Sequence, residues 1–336
     1  MRIPFISLSA GGLDLIPVWG PLMISLVVSD EKGIESDKIT VELDDAEGQC
    51  AYPGVGQVVT VSGGYEGEGG RVTGQFEIDQ VDFDGYPQKI TLHGTTVSAK
   101  KETKERKTEA HKKEDTKTLG DLAKKIGKRN GWTPKISPEV AKIELEYEGQ
   151  AGEYDAQFLT RVAKRFGAIV TVKQGNLVVS KAGAGKSVSG AELSPIFVTG
   201  GVNVLGYRCS IKKRPDHGKV EAHTFDRKKV ETDVAKKGDG ESTFRIRMPF
   251  KNKKEAEAAA DAMLAELGRA TGSVTFEIEG ETSAKAEAPV IASGIRGKVD
   301  GKWNSTKVEH RWDGDGYQTT VECEAPESKT EKEGDE

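Results

Sequence analysis

The 336-residue sequence has few cysteines and no long apolar run. Its three cysteines, Cys50, Cys209 and Cys323, lie far apart, and none belongs to a C-x-x-C pair. This scatter argues against a disulfide framework or a structural zinc site and is typical of a protein kept in a reducing compartment. The one apolar stretch, Ile16–Val28, is interrupted by two prolines and a glycine, so it is too short and broken to span a bilayer. We therefore expect no signal peptide and no membrane binding by the chain itself.

The sequence also lacks a strong excess of either charge, and it has few aromatic residues. Its 49 Lys and Arg against 54 Asp and Glu leave a net charge of −5, which argues against a global nucleic-acid-binding surface. Aromatic residues make up 6% and are spread too thinly to form a base-stacking face. Glycine is abundant instead, with 40 residues against 12 prolines. This composition favours short strands joined by turns, and at roughly 150 residues per domain the length indicates about two domains or three small ones.

A two-residue period marks the N-terminal part of the chain. Ile39, Val41 and Leu43 alternate with polar residues, and glycine-rich breaks separate further short runs of the same kind. Such runs, with turn signals every ~8–12 residues, predict an antiparallel sandwich or barrel. We assign residues 1–97 to this first β-barrel domain.

The same period returns in the C-terminal half, after Val202. We assign residues 186–325 to a second β-barrel domain. One long helix interrupts it at 252–268, where Glu255 occupies the capping-box position and apolar residues recur at helical spacing. The final segment, 326–336, is rich in acids and is expected to be disordered.

Helical spacing replaces the two-residue period in the middle of the chain. Thr118 and Asp121 form a capping box before one helix, and a second helix begins near Asp155 and stops at Gly167. Two strands joined by a tight turn follow directly. These signals predict a small α+β domain at 118–185.

Residues 98–117, between the first two domains, contain no large apolar side chain. They carry eight basic and five acidic residues. One interpretation is a basic arm that faces a lumen and touches nucleic acid or a tape measure protein. Because no aromatic residue is present to stack bases, a charged linker or loop is the favoured interpretation.

Two short motifs look like ligand-binding loops but lack the required residues. Gly183–Ser187 resembles a phosphate-binding loop, yet Ser180 stands where its first glycine belongs and Pro195 follows within a few residues. Asp313–Gly316 resembles the start of a calcium loop, yet Tyr317 holds its fifth position, so a tight turn explains it better. The five histidines show no metal-binding spacing. The sequence therefore predicts no catalytic, cofactor-binding or metal residue.

The segment from Glu148 to Gly167 carries a specific motif and is followed by the hairpin strand Asn176–Ser180. It resembles the phage late control gene D protein family, the tail baseplate hub proteins of contractile-tailed phages. Tyr154 replaces the small hydroxyl residue that is usual in this family. The matching residues are Gln150, Glu153, Asp155, Phe158, Leu159, Arg161 and Gly167.

The C-terminal segment agrees with this resemblance. It is similar to the closing hairpin of the family, with its histidine and its Gly-Tyr-x-Thr turn. The N-terminal half is similar in outline only, so the resemblance extends over nearly the whole chain with one strong and one fair motif. The resemblance implies a structural role for the matching residues of both segments. The second set is Trp303, His310, Gly316, Tyr317 and Thr319.

The resemblance implies a structural hub subunit, not an enzyme, of a contractile phage or prophage tail. The family is similar to the N-terminal part of type VI secretion spike proteins. The implied fold is mainly β with α+β insertions: two related antiparallel β-barrel domains flank a small α+β domain, with one long helix in the C-terminal half. Three such subunits form a pseudo-sixfold ring that joins the tail tube to the central spike.

The resemblance also implies partners and a location. The expected partners are the protein itself as a homotrimer, the tail spike protein, the tail tube protein and the tape measure protein, with nucleic acid only transiently in the lumen. No cofactor is expected, and the location is the tail baseplate of the virion, assembled in the host cytoplasm. Three alternatives stay open: a hub of a tailocin or secretion particle, a single-stranded nucleic-acid-binding protein with OB-like barrels, and a tail-associated peptidoglycan hydrolase that needs only two carboxylates across a cleft.

Overall fold

A computed structural model of the chain describes residues 2–48, 50–97, 105–173, 175–185, 192–212, 217–226, 231–240 and 242–326. Its N-terminal elements are β1 (Pro4–Ala10), β2 (Leu13–Asp14), α1 (Ile16–Trp19), β3 (Met23–Glu31), β4 (Lys38–Asp44), β5 (Val58–Tyr65), β6 (Arg71–Asp84) and β7 (Lys89–Thr96). The middle elements are β8 (Lys107–Lys112), α2 (Leu119–Asn130), β9 (Thr133–Ile136), α3 (Pro138–Ala141), β10 (Tyr147–Glu153), α4 (Asp155–Lys164), β11 (Ala168–Lys173) and β12 (Asn176–Lys181). The C-terminal elements are β13 (Ile196–Thr199), β14 (Val204–Ile211), β15 (His217–Asp226), β16 (Glu231–Gly238), β17 (Ser242–Phe250), α5 (Lys253–Arg269), β18 (Gly272–Glu279), β19 (Pro289–Ser293), β20 (Gly301–Asp313) and β21 (Gly316–Glu324).

Three N-terminal strands, β4, β5 and β7, bury every second side chain over most of their length, as the two-residue period predicts. In β4, Ile39, Val41 and Leu43 are almost completely buried, whereas the lysine and aspartate at its ends are exposed. Burying one such aliphatic side chain stabilises the fold by ~1.5–3 kcal/mol relative to leaving it in water. The N-terminal strands therefore enclose a core of their own, to which Leu26, Phe76 and Leu92 also contribute.

Thirteen strands form one curled sheet that contains both β-rich regions. The two regions meet where the second half of β20, Lys307–Asp313, pairs antiparallel with Ser25–Glu31 of β3. The first residues of β20 pair instead with β19. Trp312 and Tyr317 pack into the N-terminal core although they belong to the C-terminal strands. The prediction of a mainly β fold with α+β insertions and one long helix is confirmed, and a shared sheet joins its two ends.

The middle elements form a compact α+β unit. The helices α2 and α4 pack against a three-stranded sheet in which β12 lies between β11 and β9. The predicted capping box is present, since Thr118 Oγ1 accepts a hydrogen bond from the backbone of Asp121 and the Asp121 carboxylate accepts one from the backbone of Thr118. The predicted hairpin joins β11 to β12. Leu122, Phe158 and Val162 lie at the centre of this core.

The segment expected to be a charged linker contains a strand. Lys107–Lys112 forms β8, which pairs antiparallel with β10. The prediction of a linker over 98–117 is therefore wrong for these residues, and 98–104 lie outside the described residues. A strand without large apolar residues is stable here because backbone pairing and ion pairs replace apolar burial. The buried His111 is its one side chain in the interior.

The long helix α5 has a sheet of its own. It packs on β16, β15 and β17, which form a separate three-stranded sheet and are not part of the large one. The sequence period had suggested that these strands belong to the second barrel. The insertion into the second β-rich region is therefore a three-stranded sheet together with α5, and not the helix alone. Asn252 caps α5 by accepting a hydrogen bond from the backbone of Glu255 at 2.9 Å. The predicted acidic tail, 326–336, lies outside the described residues from 327 onward.

Candidate functional site

A buried carboxylate lies at the centre of the first motif. Asp155, the first residue of α4, is 0% exposed. It accepts hydrogen bonds from Arg129 Nε at 2.7 Å, Asn130 Nδ2 at 2.8 Å and Gln150 Nε2 at 2.9 Å. Burial alone would raise the pKa of Asp155, but these donors outweigh burial and hold the pKa below its usual range. The carboxylate thus ties the end of α2 and strand β10 to the start of α4.

The same arginine continues the network to β8. Arg129 Nη1 donates to Glu109 at 2.6 Å, and Lys125 Nζ donates to the same carboxylate at 2.7 Å. The hydrogen bonds from Lys125 and then Arg129 lower the pKa of Glu109 to about 2. These contacts hold β8 against α2 through charge.

A second ion pair joins α4 to β10. Arg161 Nε and Nη2 donate to the two carboxylate oxygens of Glu153 at 2.8 Å each, and Nη2 also donates to the carbonyl of Gly149 at 2.9 Å. Gln150 Nε2 donates to the backbone carbonyl of Glu153 at 2.9 Å. Tyr154 stands at the N-cap without a side-chain cap bond, and α4 begins directly after it at Asp155. The structure thus brings the four polar motif residues into one network.

The apolar motif residues lie in the core beneath this network. Phe158 and Leu159 are 0% exposed, and the ring of Phe158 stacks on His111 with centroids 5.1 Å apart. Burial lowers the pKa of His111. Gly167 has a φ of 68° after the end of α4, a backbone conformation that favours glycine, and a Cβ there would lie 3.2 Å from Ala262 of α5.

The second motif forms a cluster on the closing hairpin. Tyr317 Oη lies 2.8 Å from His310 Nδ1, and Thr319 Oγ1 lies 3.3 Å from the same nitrogen. The Trp312 ring stacks on Tyr317 with centroids 4.4 Å apart. Burial lowers the pKa of His310 to about 4 and raises that of Tyr317. Trp303 is not part of this cluster; it lies in the C-terminal core.

A third polar cluster was not predicted from the sequence. Lys173, at the end of β11, contacts Asp30, Asp37 at 2.8 Å and the carbonyl of Glu31 at 3.1 Å. Asp30 in turn accepts a hydrogen bond from the backbone of Ala286 at 2.9 Å. Burial opposes the charge of Lys173, but the two carboxylates outweigh it and raise the pKa of Lys173. This cluster joins the α+β unit to both β-rich regions, and no motif or spacing signals it because Lys173 lies more than a hundred residues from its acidic partners in the sequence.

Apolar side chains are exposed along two strands of the large sheet. On β14, Leu205, Tyr207 and Ile211 are about half exposed. On the second half of β6, Phe83 is 62% exposed and meets Tyr52 edge-on with ring centroids 5.4 Å apart. Exposed apolar residues on strands that have an open edge are typical of surfaces where further strands dock.

The ligand-like motifs do not form ligand sites in the described part of the chain. Asp313–Gly316 is the turn between β20 and β21, where Asp313 accepts hydrogen bonds from the backbone of Asp315 at 2.9 Å and from Arg311 Nε at 2.5 Å. Of Gly183–Ser187, the last two residues lie outside the described residues. Within the described ranges, no group of three or more His, Cys, Asp or Glu side chains is placed to hold a metal ion. None of the described helices is long and apolar enough to cross a membrane.

Comparison with known proteins identifies similar chains over most of this length. A family model described as phage tail baseplate hub (GPD) matches residues 111–316. A probable baseplate hub protein of Escherichia phage P2 is 28% identical, over 93% of this chain and 90% of its own length.

Solved structures share the fold. The 43 kDa tail protein of prophage MuSo2 from Shewanella oneidensis has a TM-score of 0.69 and 18% identity, covering 96% of this chain and 99% of its own. A component of the Escherichia coli type VI secretion system, described as structurally similar to the bacteriophage T4 tail proteins gp27 and gp5, has a TM-score of 0.59 and 10% identity, covering 96% and 77%.

Proposed function

The chain belongs to the phage tail baseplate hub (GPD) family, and from that premise we propose that three copies form a pseudo-sixfold ring joining the tail tube to the central spike. The family is a structural one and not an enzyme family, so the protein is a baseplate component of the virion. Because the chain belongs to this family, we set aside the two other functions considered from the sequence, a single-stranded nucleic-acid-binding protein and a peptidoglycan hydrolase. A threefold ring that matches a sixfold tube requires two similar units in each subunit.

A repeated strand order within the large sheet carries the proposal. In the N-terminal region, neighbouring strands follow the order β3, β4, β7, β6, β5, β1. In the C-terminal region, β14, β18, β21, β20, β19 and β13 follow in the same order and with the same sequence of connections. The one departure is the last pair, which is antiparallel for β1–β5 and parallel for β13–β19. We take the two regions, residues 1–97 and 186–325, as related β-barrel domains flanking the α+β domain at 118–185.

Local irregularities recur at equivalent places and support this relation. The register of β6 shifts after Ile78, and that of β20 shifts after Ser305. The backbone carbonyl at each shift accepts a hydrogen bond from a residue with positive φ, from Gly56 at 2.7 Å and from Glu287 at 3.0 Å. Their φ values are 91° and 70°. A positive φ is uncommon at a residue other than glycine, so its recurrence at Glu287 favours one backbone design used twice.

The motif residues have a structural role in this proposal. Asp155 and Arg161 fix α4 to its neighbours, and Phe158 and Leu159 fill the core of the α+β domain. The Trp312–Tyr317 stack fills the N-terminal core from the C-terminal hairpin, so it helps to hold the two barrels together. None of these residues has a chemical role.

The partners follow from the position of such a ring. The tail tube protein lies on one face, the spike protein on the other, and the tape measure protein and nucleic acid pass the lumen during assembly and infection. The likeness to a secretion component that is itself described as similar to gp27 and gp5 supports a spike partner. Assembly takes place in the host cytoplasm, and no cofactor takes part.

Light scattering tests the proposal directly. The protein is measured alone and after mixing with the tail spike protein of the same phage or prophage. A mass near three times 36.2 kDa, alone or with the spike, is expected. A strict monomer that does not bind the spike would overturn the proposed ring.

A further inference from the structure

The contact between β3 and β20 provides a template for a contact between copies. The outer edge of β3, in the first barrel, is covered by the second half of β20, in the second barrel. Opposite residues in this antiparallel pair include Val28 with His310 and Ser29 with Glu309. A hydrogen bond from Ser29 Oγ to Glu309 Oε1, at 3.2 Å, links the side chains of one of these opposite pairs. Within the chain, the two barrels are thus joined by antiparallel pairing between an edge strand of the first and a strand of the second.

The repeated strand order assigns an equivalent to each half of this contact. β14 occupies the place of β3, and β6 occupies the place of β20. The register shift in β3 lies between Met23 and Ser25, and that in β14 lies between Val204 and Gly206. Because the shifts in β6 and β20 also coincide, the equivalence holds residue by residue.

Both equivalents are open in the single chain. Among the described residues, β14 pairs only with β18, and Gln80–Asp84 of β6 pair only with β7. Their free edges are flanked by the exposed side chains of Phe83, Tyr207 and Ile211. An open edge with exposed apolar residues is a ready docking element for another strand.

We infer that β14 of one copy adds to Gln80–Asp84 of β6 in the next copy, as an antiparallel strand pair that repeats the β3–β20 contact. The template fixes the register: Phe83 lies opposite Cys209, and Asp82 lies opposite Ser210 of the neighbouring copy. The inference rests on the proposed ring and names its subunit interface.

The side chains on the two edges suit this pairing. Ser210 and Asp82 repeat the serine and carboxylate that hydrogen-bond in the template. Asp84 lies opposite Arg208, so a basic residue meets an acidic one. Opposite charges across a strand pair stabilise it, whereas like charges destabilise it.

A contact of this kind is compatible with a closed assembly. The contact is heterologous, since one surface of a copy meets a different surface of the next. Such contacts close into a ring when the rotation between copies divides a full turn. In the proposed ring, three copies with two barrels each form six such contacts, three within the chains and three between them, so each contact would span one sixth of a turn.

Disulfide trapping tests the register. In a Cys50→Ser background, Phe83→Cys places a thiol opposite the native Cys209 of the neighbouring copy. Opposite Cβ atoms in an antiparallel pair are ~4.5–5.5 Å apart, close enough for a disulfide after a small shift. With oxidised glutathione as the oxidant, we expect covalent dimers and trimers on a non-reducing gel, and their loss when Cys209→Ser is added. Phe197→Cys, on β13, is the matched exposed control and should give no such ladder.

A charge swap provides the second test and does not depend on oxidation. Asp84→Arg and Arg208→Asp should each weaken assembly on the order of fivefold per contact, and the combined variant should restore it. A wild-type trimer with no cross-linking and no effect of either swap would overturn this interface while the ring stands. A protein that stays monomeric with the spike would overturn the ring itself. Circular dichroism of each variant confirms that it folds.

Discussion

Replacing Asp155 by asparagine should loosen the α+β domain selectively. The carboxylate is fully buried and accepts hydrogen bonds from Arg129, Asn130 and Gln150. Asparagine has nearly the same volume and leaves no cavity, but it removes the charge. Its side-chain NH2 group, itself a donor, would replace one carboxylate oxygen that now accepts these hydrogen bonds. Breaking a buried ion pair by removing one partner costs ~3–5 kcal/mol. Because Arg129 keeps its contact with Glu109, we expect the lower end, ~3 kcal/mol.

Hydrogen exchange measures this loss where it occurs. Local opening at a cost lower by ~3 kcal/mol corresponds to exchange faster on the order of 100-fold for amides of α4 and β10. The matched control is Glu153→Gln, which breaks the more exposed pair with Arg161 and should cost ~1 kcal/mol or less. Equal effects of the two variants, or an Asp155→Asn effect below fivefold, would refute the view that the buried carboxylate holds the unit together.

The pH dependence of the same local opening provides an independent test of the stabilisation by the Asp155 carboxylate. The folded pKa of Asp155 is below its usual range, so the stabilisation is complete above the unfolded pKa of ~3.9 and is lost as the pH falls through the folded pKa. The asparagine variant should lack this part of the acid sensitivity. An unchanged acid profile would show that other carboxylates carry it.

Three further perturbations have defined outcomes. Gly280→Ala would place a Cβ 2.1 Å from Tyr317 Cδ1 and should lower the free energy of unfolding by ~1–3 kcal/mol in thermal melts; an unchanged melting temperature would contradict the packing. Because burial lowers the pKa of His310 to about 4, stability should fall by ~3 kcal/mol as the pH drops from ~6.5 to ~4, and a His310→Gln variant should lose that slope. Lys173→Met leaves two carboxylates without their ammonium and should cost ~3 kcal/mol in urea unfolding, whereas Lys164→Met, at a mostly exposed pair, should cost under ~1 kcal/mol; similar costs would refute the junction.

Motif and spacing predicted only part of the candidate site. Gln150, Glu153, Asp155 and Arg161 were found because they lie within one short segment, where a family pattern is visible. Arg129 was missed, although it donates to Asp155, because nothing near it in the sequence marks it among the other basic residues. The partner of a buried charge is set by the path of the chain in space, which single-sequence reasoning does not follow.

The error at β8 has a similar cause. Periodicity detects a strand through its apolar face, and Lys107–Lys112 has no large apolar residue. Its stability comes from pairing with β10 and from Glu109, whose charge is matched by two basic residues on α2. Both sources are tertiary, so composition alone indicated a linker.

The sequence by itself determined the local elements and the class of the fold. Alternation, caps and glycine stops depend on neighbours along the chain, which is why the strands around Ile39–Leu43, the capping box at Thr118 and the end of α4 near Gly167 could be predicted. Only the tertiary structure decided which strands are neighbours. β3 pairs with β20, whose residues lie 280 positions away at Ser29 and Glu309, and no local signal specifies that register. Edge choice depends on the free energy of the whole sheet. Among the described residues it leaves β14 paired only with β18 and Gln80–Asp84 of β6 paired only with β7, the two edges that we propose meet between copies.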